Sequence, residues 1–493
     1  MKQISICYLV ILILFLDIRT AASQAWNRFW CFGDSAGVDF SNLSTPVPIT
    51  SLMDCAESCA SVGDSANGLL MYAHTDYWPL WLAGSLRTTV VHNYQHQIME
   101  NGDSLIGNAF HNGMTFINKP GSDSIFYLIH TGFNVDSGLY YSMVLPYYNS
   151  DTGIVVNKNS PFTLTERRIH LGVIAIKHAN GRDWWIIVRN WIFTNKFNCF
   201  LITPDSIIGP IEQYIGSVTS TDYGGLASSK EGDKLCLVNA NGLVETYEFD
   251  RCSGQILNAR TIWAAAPYKL FGVELSPSGN VLYVSNIDNI FGNDSLRLFQ
   301  FDLTSPNPGS TFQRIYSEKV SASGGLLKRG PNDKIYFTCL HECGWRYPDT
   351  CRNQYNENLS VINSPDSLGL SCNFSPFSFY LGGKRTYWNL PNNPNYLLGP
   401  ITGTLCDSLN TSVSAPQMKV ESFKVFPNPT SGELNVVTSG RTPIKARLYQ
   451  SDMRLIREFH LNSIANTIDI KQLADGVYYL EINNARRKIV VTK

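Results

Sequence analysis

Three sets of residues have types and spacing that could do chemistry. Ser35 lies in "CFGDSAGVDF" (31–40), where a Gly-Asp-Ser step could present a nucleophilic hydroxyl. Such a serine needs a general base within hydrogen-bond reach and donors for the oxyanion. The second set is "CLHECGWRYPDTC" (339–351) with Cys372 further on, which offers thiols and the imidazole of His341. Residues of this kind could hold zinc or form disulfides. The third is "NIDNIFGND" (286–294), where Asp288, Asn293 and Asp294 could bind Ca²⁺ or serve in hydrolysis.

None of the three carries an active site through. F-G-D-S resembles the opening block of the secreted GDSL lipases and esterases, whose histidine base lies in a D-x-x-H motif near the C-terminus. The chain has 9 His, and none has Asp three residues before it. "GPND" (330–333) imitates the G-x-N-D block of that family but reads as a hairpin turn. A trypsin-like order fails because base and acid there precede the serine, and Ser35 follows the leader by only about a dozen residues. For the cysteine group, a zinc site would show a cleaner pair of C-x-x-C clamps, so Cys339, Cys343, Cys351 and Cys372 are read as disulfide candidates. A lone acidic loop such as 286–294 is usually solvated. No catalytic, metal or cofactor residue is assigned.

Asp-Ser-apolar recurs eight times, at Ser35, Ser65, Ser104, Ser124, Ser206, Ser295, Ser367 and Ser408. Eight copies cannot be eight nucleophiles. The first reading is a turn that starts a strand, because Asp and Ser side chains cap backbone N–H groups. The triplet also resembles the O-glycosylation acceptor of exported Bacteroidetes proteins, which implies modification at the same serines.

The elements that position these residues follow from the rest of the chain. Residues 1–23 show a Lys, an apolar run from Ile4 to Leu16 and small residues, the pattern of a secretory signal peptide. No later stretch is apolar enough for a membrane span. Of 12 Cys, Cys7 leaves with the leader, so an odd number meets an oxidising compartment and at least one is unpaired or pairs between molecules. Net charge is −1, which argues against a nucleic-acid partner. The balance is uneven, because residues 421–493 carry 11 Lys/Arg and 7 Asp/Glu.

Five segments share one grammar of strand, Gly/Asn/Asp turn and second strand: "MTFINKPGSDSIFYLI" from 114, "GVIAIKHANGRDWWIIV" from 172, "GGLASSKEGDKLCLV" from 224, "GVELSPSGNVLYVS" from 272 and "GGLLKRGPNDKIYFTC" from 324. They start 58, 52, 48 and 52 residues apart, a period that suits β-propeller blades. "ANGLLMYA" from Ala66 suggests an earlier unit and "CNFSPFSFYLGG" from Cys372 a last one. The expectation is all-β, with a propeller of about seven blades over 24–405. Only "SLMDCAESCA" (51–60) reads as helix, with Cys55 and Cys59 on one face. Together with "FGDSAGVDF", "HNYQHQIMENGDSLIG" and "LGGKRTYWNLPNNPNYLLGP", these stretches loosely resemble the propeller-like N-terminal regions of secreted Bacteroidetes surface proteins. That likeness implies architecture and export, not a reaction.

A polar linker (406–421) leads to residues 422–493, where alternation predicts six or seven strands in a small Ig-like β-sandwich. Pro427 and Pro429 are expected to stiffen the approach to the first strand, and Gly476 to make the turn into "VYYLEI". The P-N-P-T-x-G opening (Pro427, Asn428, Pro429, Gly432), the L-x-x-G-x-Y hairpin (Gly476, Tyr478) and the basic last strand (Lys488) closely resemble the type A C-terminal sorting domain of the type IX secretion system. The resemblance implies partners in that machinery at the outer membrane. It also implies passage through the periplasm and a destination on the cell surface or in the medium. The function expected is a non-enzymatic scaffold binding a glycan, protein or matrix partner, with Trp78 and Trp81 in "TDYWPLW" as candidate exposed aromatics. The rival is a propeller hydrolase or lyase acting on glycans, with carboxylates and histidines at the channel.

Overall fold

The computed structural model describes residues 25–407 and 423–493, apart from 57, 65–67, 76–87, 108–111, 133–137, 149–151, 222–223, 288–294, 344–346, 439–442, 451–453 and 483–484. The leader, Trp78, Trp81, Ser65, Ser408, Asp288, Asn293, Asp294 and nearly all of the linker lie outside them. The chain divides into two compact units, one running to residue 409 without 147–150 and the other comprising 147–150 and 410–493.

Among the described residues, the larger unit is a propeller of seven sheets. Blade 1 is a two-stranded sheet, Phe29–Asp39 with Val47–Cys55. Six four-stranded antiparallel meanders follow. Their first strands are Cys59–Asp64, Met114–Asn118, Ile169–Lys177, Gly224–Ser228, Leu270–Leu275 and Ala322–Arg329 (blades 2 to 7). The five sequence repeats are the inner hairpins of blades 3 to 7. In all five the turn closes with an N–H donated to the carbonyl three residues back, as from Ser122 to Lys119, from Gly181 to His178 and from Asp333 to Gly330. In blades 4 to 7 the donor residue has positive φ: 70° at Gly181, 70° at Gly232, 69° at Gly279 and 60° at Asp333. "GPND" is thus the hairpin turn of blade 7, with Asp in the place glycine occupies in blades 4 to 6.

Two expectations are corrected. The described residues of 51–60 are not helical: Ser51, Met53 and Cys55 are buried alternately along the strand Val47–Cys55, and Cys59 opens the next strand. The apolar period here is two, not 3.6, so the two cysteines meet in one core cluster from different sheets. The segment from Cys372 is not a separate blade. Phe374–Tyr380 is the outer strand of blade 7, and the remaining blade is the short first one.

Apolar side chains fill the layers between blades. One cluster joins blades 4 and 5 through Trp185, Phe197, Leu237 and Tyr247. Others join blades 5 and 6, and 6 and 7. The ring closes where Trp30, Phe32 and Phe40 of and beside blade 1 pack on Tyr336 and Leu359 of blade 7 and on Tyr72 of blade 2. Close approach of inner strands requires glycine: a Cβ on Gly272 would run into the carbonyl of Gly325, and one on Gly225 into that of Phe271.

The smaller unit is a sandwich of a three-stranded sheet (Phe423–Phe426, Glu433–Thr438, Ala465–Asp469) and a four-stranded one (Ile444–Gln450, Leu455–Leu461, Gly476–Ile482, Ala485–Val491). Phe423, Leu434, Val436, Leu448, Leu480 and Ile489 share its single core. Pro427 and Pro429 follow the first strand instead of leading into it; lacking N–H donors, they end its ladder.

Candidate functional site

The propeller axis is not open. Residues 385–401, which have no regular secondary structure, run across the first strands of the blades as a strap. Asn389 Oδ1 accepts from Gly33 N of blade 1 at 3.1 Å, and its Nδ2 donates to Cys59 Sγ of blade 2 at 3.0 Å. Asn392 Nδ2 donates to the carbonyls of Met114 (3.1 Å, blade 3) and Val173 (2.7 Å, blade 4). Asn395 Nδ2 donates to Lys230 O at 2.8 Å in the hairpin of blade 5. The Trp388 carbonyl accepts from Leu326 N and Thr338 Oγ1 of blade 7, both at 2.8 Å. Amides suit this work because each side chain both donates and accepts, and so satisfies strand ends that no ladder reaches. Arg385 anchors the start: it exchanges backbone hydrogen bonds with Asp34 and forms an ion pair with its carboxylate at 2.6 Å. The Cys252–Cys406 disulfide ties the chain just beyond the strap to blade 5, across a sequence separation of 154.

Beside the strap the axis holds a cavity of about 310 Å³. It is lined by the first strands of blades 3 to 7, at Thr115, Ile174, Leu226, Glu274 and Lys328 among others, and by strap residues 392–397. Glu274 accepts from the backbone N–H of Leu275 and of Arg329, both at 3.0 Å, and pairs with the Arg329 guanidinium at 3.3 Å. Asp333 is bound through both oxygens by Lys230 Nζ, at 2.9 and 2.8 Å. Lys328 also lines the cavity; burial pushes its pKa down, with Glu274 opposing and Arg329 adding to the fall.

Ser35 stands at a β-bulge within the strand Phe29–Asp39, with φ of 61°. Its hydroxyl donates to Asp34 Oδ1 at 3.4 Å, and that carboxylate is already engaged by Arg385. This is not the strand-to-helix turn of a hydrolase serine. Ser104, Ser124, Ser206 and Ser295 stand just before strands or open one, whereas Ser367 precedes a 3₁₀ turn. Ser104 and Ser206 are exposed; Ser35, Ser124, Ser295 and Ser367 are half-buried.

Of the cysteine group, Cys343 and Cys351 form a disulfide with Cα atoms 6.2 Å apart. His341 Nδ1 lies 3.0 Å from Cys343 Sγ, but sulfurs bonded to each other cannot coordinate a metal as thiolates. Cys339 and Cys372 are not in disulfides. Both are buried thiols in the cluster between blades 6 and 7, and Cys339 Sγ donates to Tyr355 O at 3.1 Å. The Cys252–Cys406 pair could not be read from spacing, because its partners lie more than three blades of sequence apart.

In the sandwich, Asn428 bridges to the last strand, donating from Nδ2 to Lys488 O at 2.7 Å and accepting at Oδ1 from Val490 N at 2.8 Å. Thr430 continues the pairing: its N–H donates to Val490 O at 2.9 Å, and its carbonyl accepts from Thr492 N at 3.0 Å. Gly432 lies so close to Lys471 that a Cβ would collide with that side chain. Tyr478 is buried, with its hydroxyl donating to Ala474 O at 2.8 Å. The opening motif is therefore stitched to the C-terminal strand, which explains why motifs some sixty residues apart occur together.

Residues 424–493 match the secretion system C-terminal sorting domain family. The chain is thus an exported protein, addressed by its tail to the type IX machinery and destined for the cell surface or the medium. No helix among the described residues is long and apolar enough to cross a membrane. None of the curated proteins matches the sequence. Among solved structures, PorZ of the type IX secretion system of Porphyromonas gingivalis is similar over 95% of this chain and 69% of its own, at 10% identity and a TM-score of 0.37. A putative 6-phosphogluconolactonase from Bacteroides uniformis covers 68% of this chain and 92% of its own, at 14% identity and a TM-score of 0.39. The Dos1 propeller covers 72% and 82%, at 12% identity and a TM-score of 0.41. The propeller assignment rests on the sheets described above and not on these likenesses.

Proposed function

We propose that the mature propeller is a binding module, carried out of the cell by residues 424–493, that holds its ligand without transforming it. The observation that supports this reading is the employment of the carboxylates in the axial cavity. Glu274 and Asp333 are each committed to a cation, so neither is poised as a general acid or base. The strap amides are engaged with the blades and transfer no protons at neutral pH, so they add no general acid or base. The test is a glycan and peptide array probed with the full mature chain, alongside a panel of glycosidase, esterase and lactonase substrates. Selective retention without turnover is expected. Turnover that survives Ser35→Ala and is lost on Glu274→Gln would replace this reading with the propeller hydrolase.

A further inference from the structure

The two ends of the Cys343–Cys351 disulfide have different surroundings. Cys343 is half-buried, whereas Cys351 is buried in a small cluster with Leu340, Tyr347 and Tyr387. A thiolate arriving from solvent therefore meets Cys343 Sγ, and Cys351 is the sulfur that must leave. The leaving sulfur is also the one supplied with donors. Asn356 Nδ2 lies 3.3 Å from Cys351 Sγ, and Asn353 Nδ2 lies 3.9 Å from it. Such an N–H···S contact is weak to a disulfide and becomes charge-assisted once the sulfur is a thiolate. His341 Nδ1 reaches both ends, at 3.0 Å from Cys343 Sγ and 3.9 Å from Cys351 Sγ. The backbone N–H of Cys343 donates to the same nitrogen at 3.4 Å, which assigns the imidazole proton to Nε2 and leaves Nδ1 as a base. Stacking on Tyr355, with centroids 5.5 Å apart, holds the ring in place, and the Tyr355 hydroxyl donates to Glu318 at 3.0 Å. Burial lowers the His341 pKa, with Glu342 opposing, so the imidazole is neutral at pH 7 and able to take a proton. An imidazole against a cysteine pair is what favours thiolates and speeds exchange.

We propose that Cys343–Cys351 is a thiol–disulfide exchange site, attacked at Cys343 by an external thiol, with His341 as base and Cys351 as leaving group. The incoming sulfur bonds to Cys343 Sγ while the Cys343–Cys351 bond breaks and its electron pair leaves on Cys351 Sγ. The proton of the incoming thiol goes to His341 Nδ1 and from there to Cys351. A second external thiol then attacks the mixed disulfide, departs bonded to the first, and leaves Cys343 as a thiol. In sum, two external thiols are oxidised to one disulfide, and Cys343–Cys351 takes up two electrons and two protons. The site stands apart from the axial cavity and does not rest on the binding-module reading. Its redox state bears on the strap, because the loop it closes anchors the strap's first residues. The carbonyls of Pro348 and Cys351 accept from the Arg385 guanidinium at 2.7 and 3.2 Å, and Tyr347 stacks on Tyr387 with centroids 4.9 Å apart. Opening the disulfide loosens that anchor.

The test uses the full mature chain with dithiothreitol and glutathione, read by differential alkylation and peptide mass mapping of each disulfide. As isolated, the chain should carry Cys343–Cys351 oxidised and without metal. Dithiothreitol should reduce this disulfide at least tenfold faster than Cys252–Cys406. Brief exposure to glutathione, stopped by acid, should leave glutathione on Cys343 and a free thiol on Cys351. His341→Gln should slow the reduction several-fold while the melting temperature of the oxidised chain stays the same. Hydrogen exchange over residues 385–388 should quicken once this disulfide alone is reduced. Reduction no faster than that of Cys252–Cys406, or a chain isolated with zinc on two free thiols, would overturn the proposal. Glutathione found on Cys351 would overturn the assignment of attacked and leaving sulfurs, a result that needs no variant to fold. An undiminished rate in His341→Gln would remove the imidazole from the step. Unchanged hydrogen exchange over 385–388 would overturn the link to the strap.

Discussion

The inner hairpins of blades 4 to 7 and the axial strap solve opposite problems. Each hairpin is a local unit: two strands, one turn and one residue of positive φ, such as Gly181 or Asp333, close it within about fifteen residues. The strap has no unit of its own. Asn389, Asn392 and Asn395 each satisfy backbone groups contributed by sequence as far as 356 residues away. Local units repeat because the same turn chemistry recurs at the same spacing. A segment that meets six blades at six different strand ends has nothing to repeat. The blades are therefore expected to be individually tolerant of change and the strap collectively intolerant.

Truncation gives the largest contrast. A chain ending at 384 loses every strap contact, leaves strand ends of six blades unsatisfied, and should not reach a cooperatively folded state by circular dichroism and proteolysis. A chain ending at 407 keeps the strap and should retain the melting temperature of the propeller, since the sandwich has its own core. It should accumulate in the periplasm without reaching the surface. Cooperative melting of the shorter chain would show that the blades close without the strap.

Acid should act on the blades and not on the strap, whose amides do not titrate. Burial lowers the pKa of His92 in blade 2 to about 3 and that of His130 in blade 3 to about 4. The unfolded chain binds these protons below about pH 6.5, before the folded one does, so stability is fully present above that pH. It should fall by a few kcal/mol as the pH drops from about 6.5 to about 4. Urea titrations at pH 7.5, 6 and 5 read this directly, and His130→Gln should flatten the slope. A midpoint independent of pH over that range would mean these imidazoles are not buried as described.

Replacing Cys252 and Cys406 together by Ser should cost about 2–4 kcal/mol. The loss should be confined to the strap end and to blade 5 by hydrogen exchange. Uniform loss of protection around the ring would show that the seated strap and all blades open as one unit. The smallest effect is expected within a hairpin. Asp333→Gly relieves an L residue at positive φ but removes a partly exposed ion pair with Lys230, two effects that nearly cancel to within about 0.5 kcal/mol. A loss above about 2 kcal/mol would contradict the tolerance claimed for the hairpins.

The repeats were legible because strand alternation and turn residues are properties of a few neighbouring positions. The same held for the sandwich, whose strands alternate cleanly in "ELNVV", "KARLYQ" and "GVYYLEI". Legibility ended where burial came from a distant partner. Residues 51–60 looked helical because Cys55 and Cys59 are four apart, yet they share a core cluster only because two blades adjoin there. Cys339 and Cys372 looked like half of a disulfide group, but a hydrogen bond to a carbonyl and apolar packing account for Cys339, and Cys372 shares that cluster. Asn389 to Asn395 stood out only as part of a stretch resembling secreted surface proteins, and nothing local distinguishes an amide that spans a channel from one that faces water.

By itself the sequence determined the blade grammar, the period near fifty residues, the separate sandwich and its export address. These depend on side-chain alternation, backbone φ preferences and motifs carried within short stretches. Only the tertiary structure decided that the first blade has two strands, that the chain's own residues 385–401 occupy the axis, and that Cys252 meets Cys406. It alone brought Glu274 and Asp333, each already paired with a cation, to one cavity. The reason is geometric: ring closure brings strand ends from every blade to one axis, and which groups there find partners depends on all the blades at once.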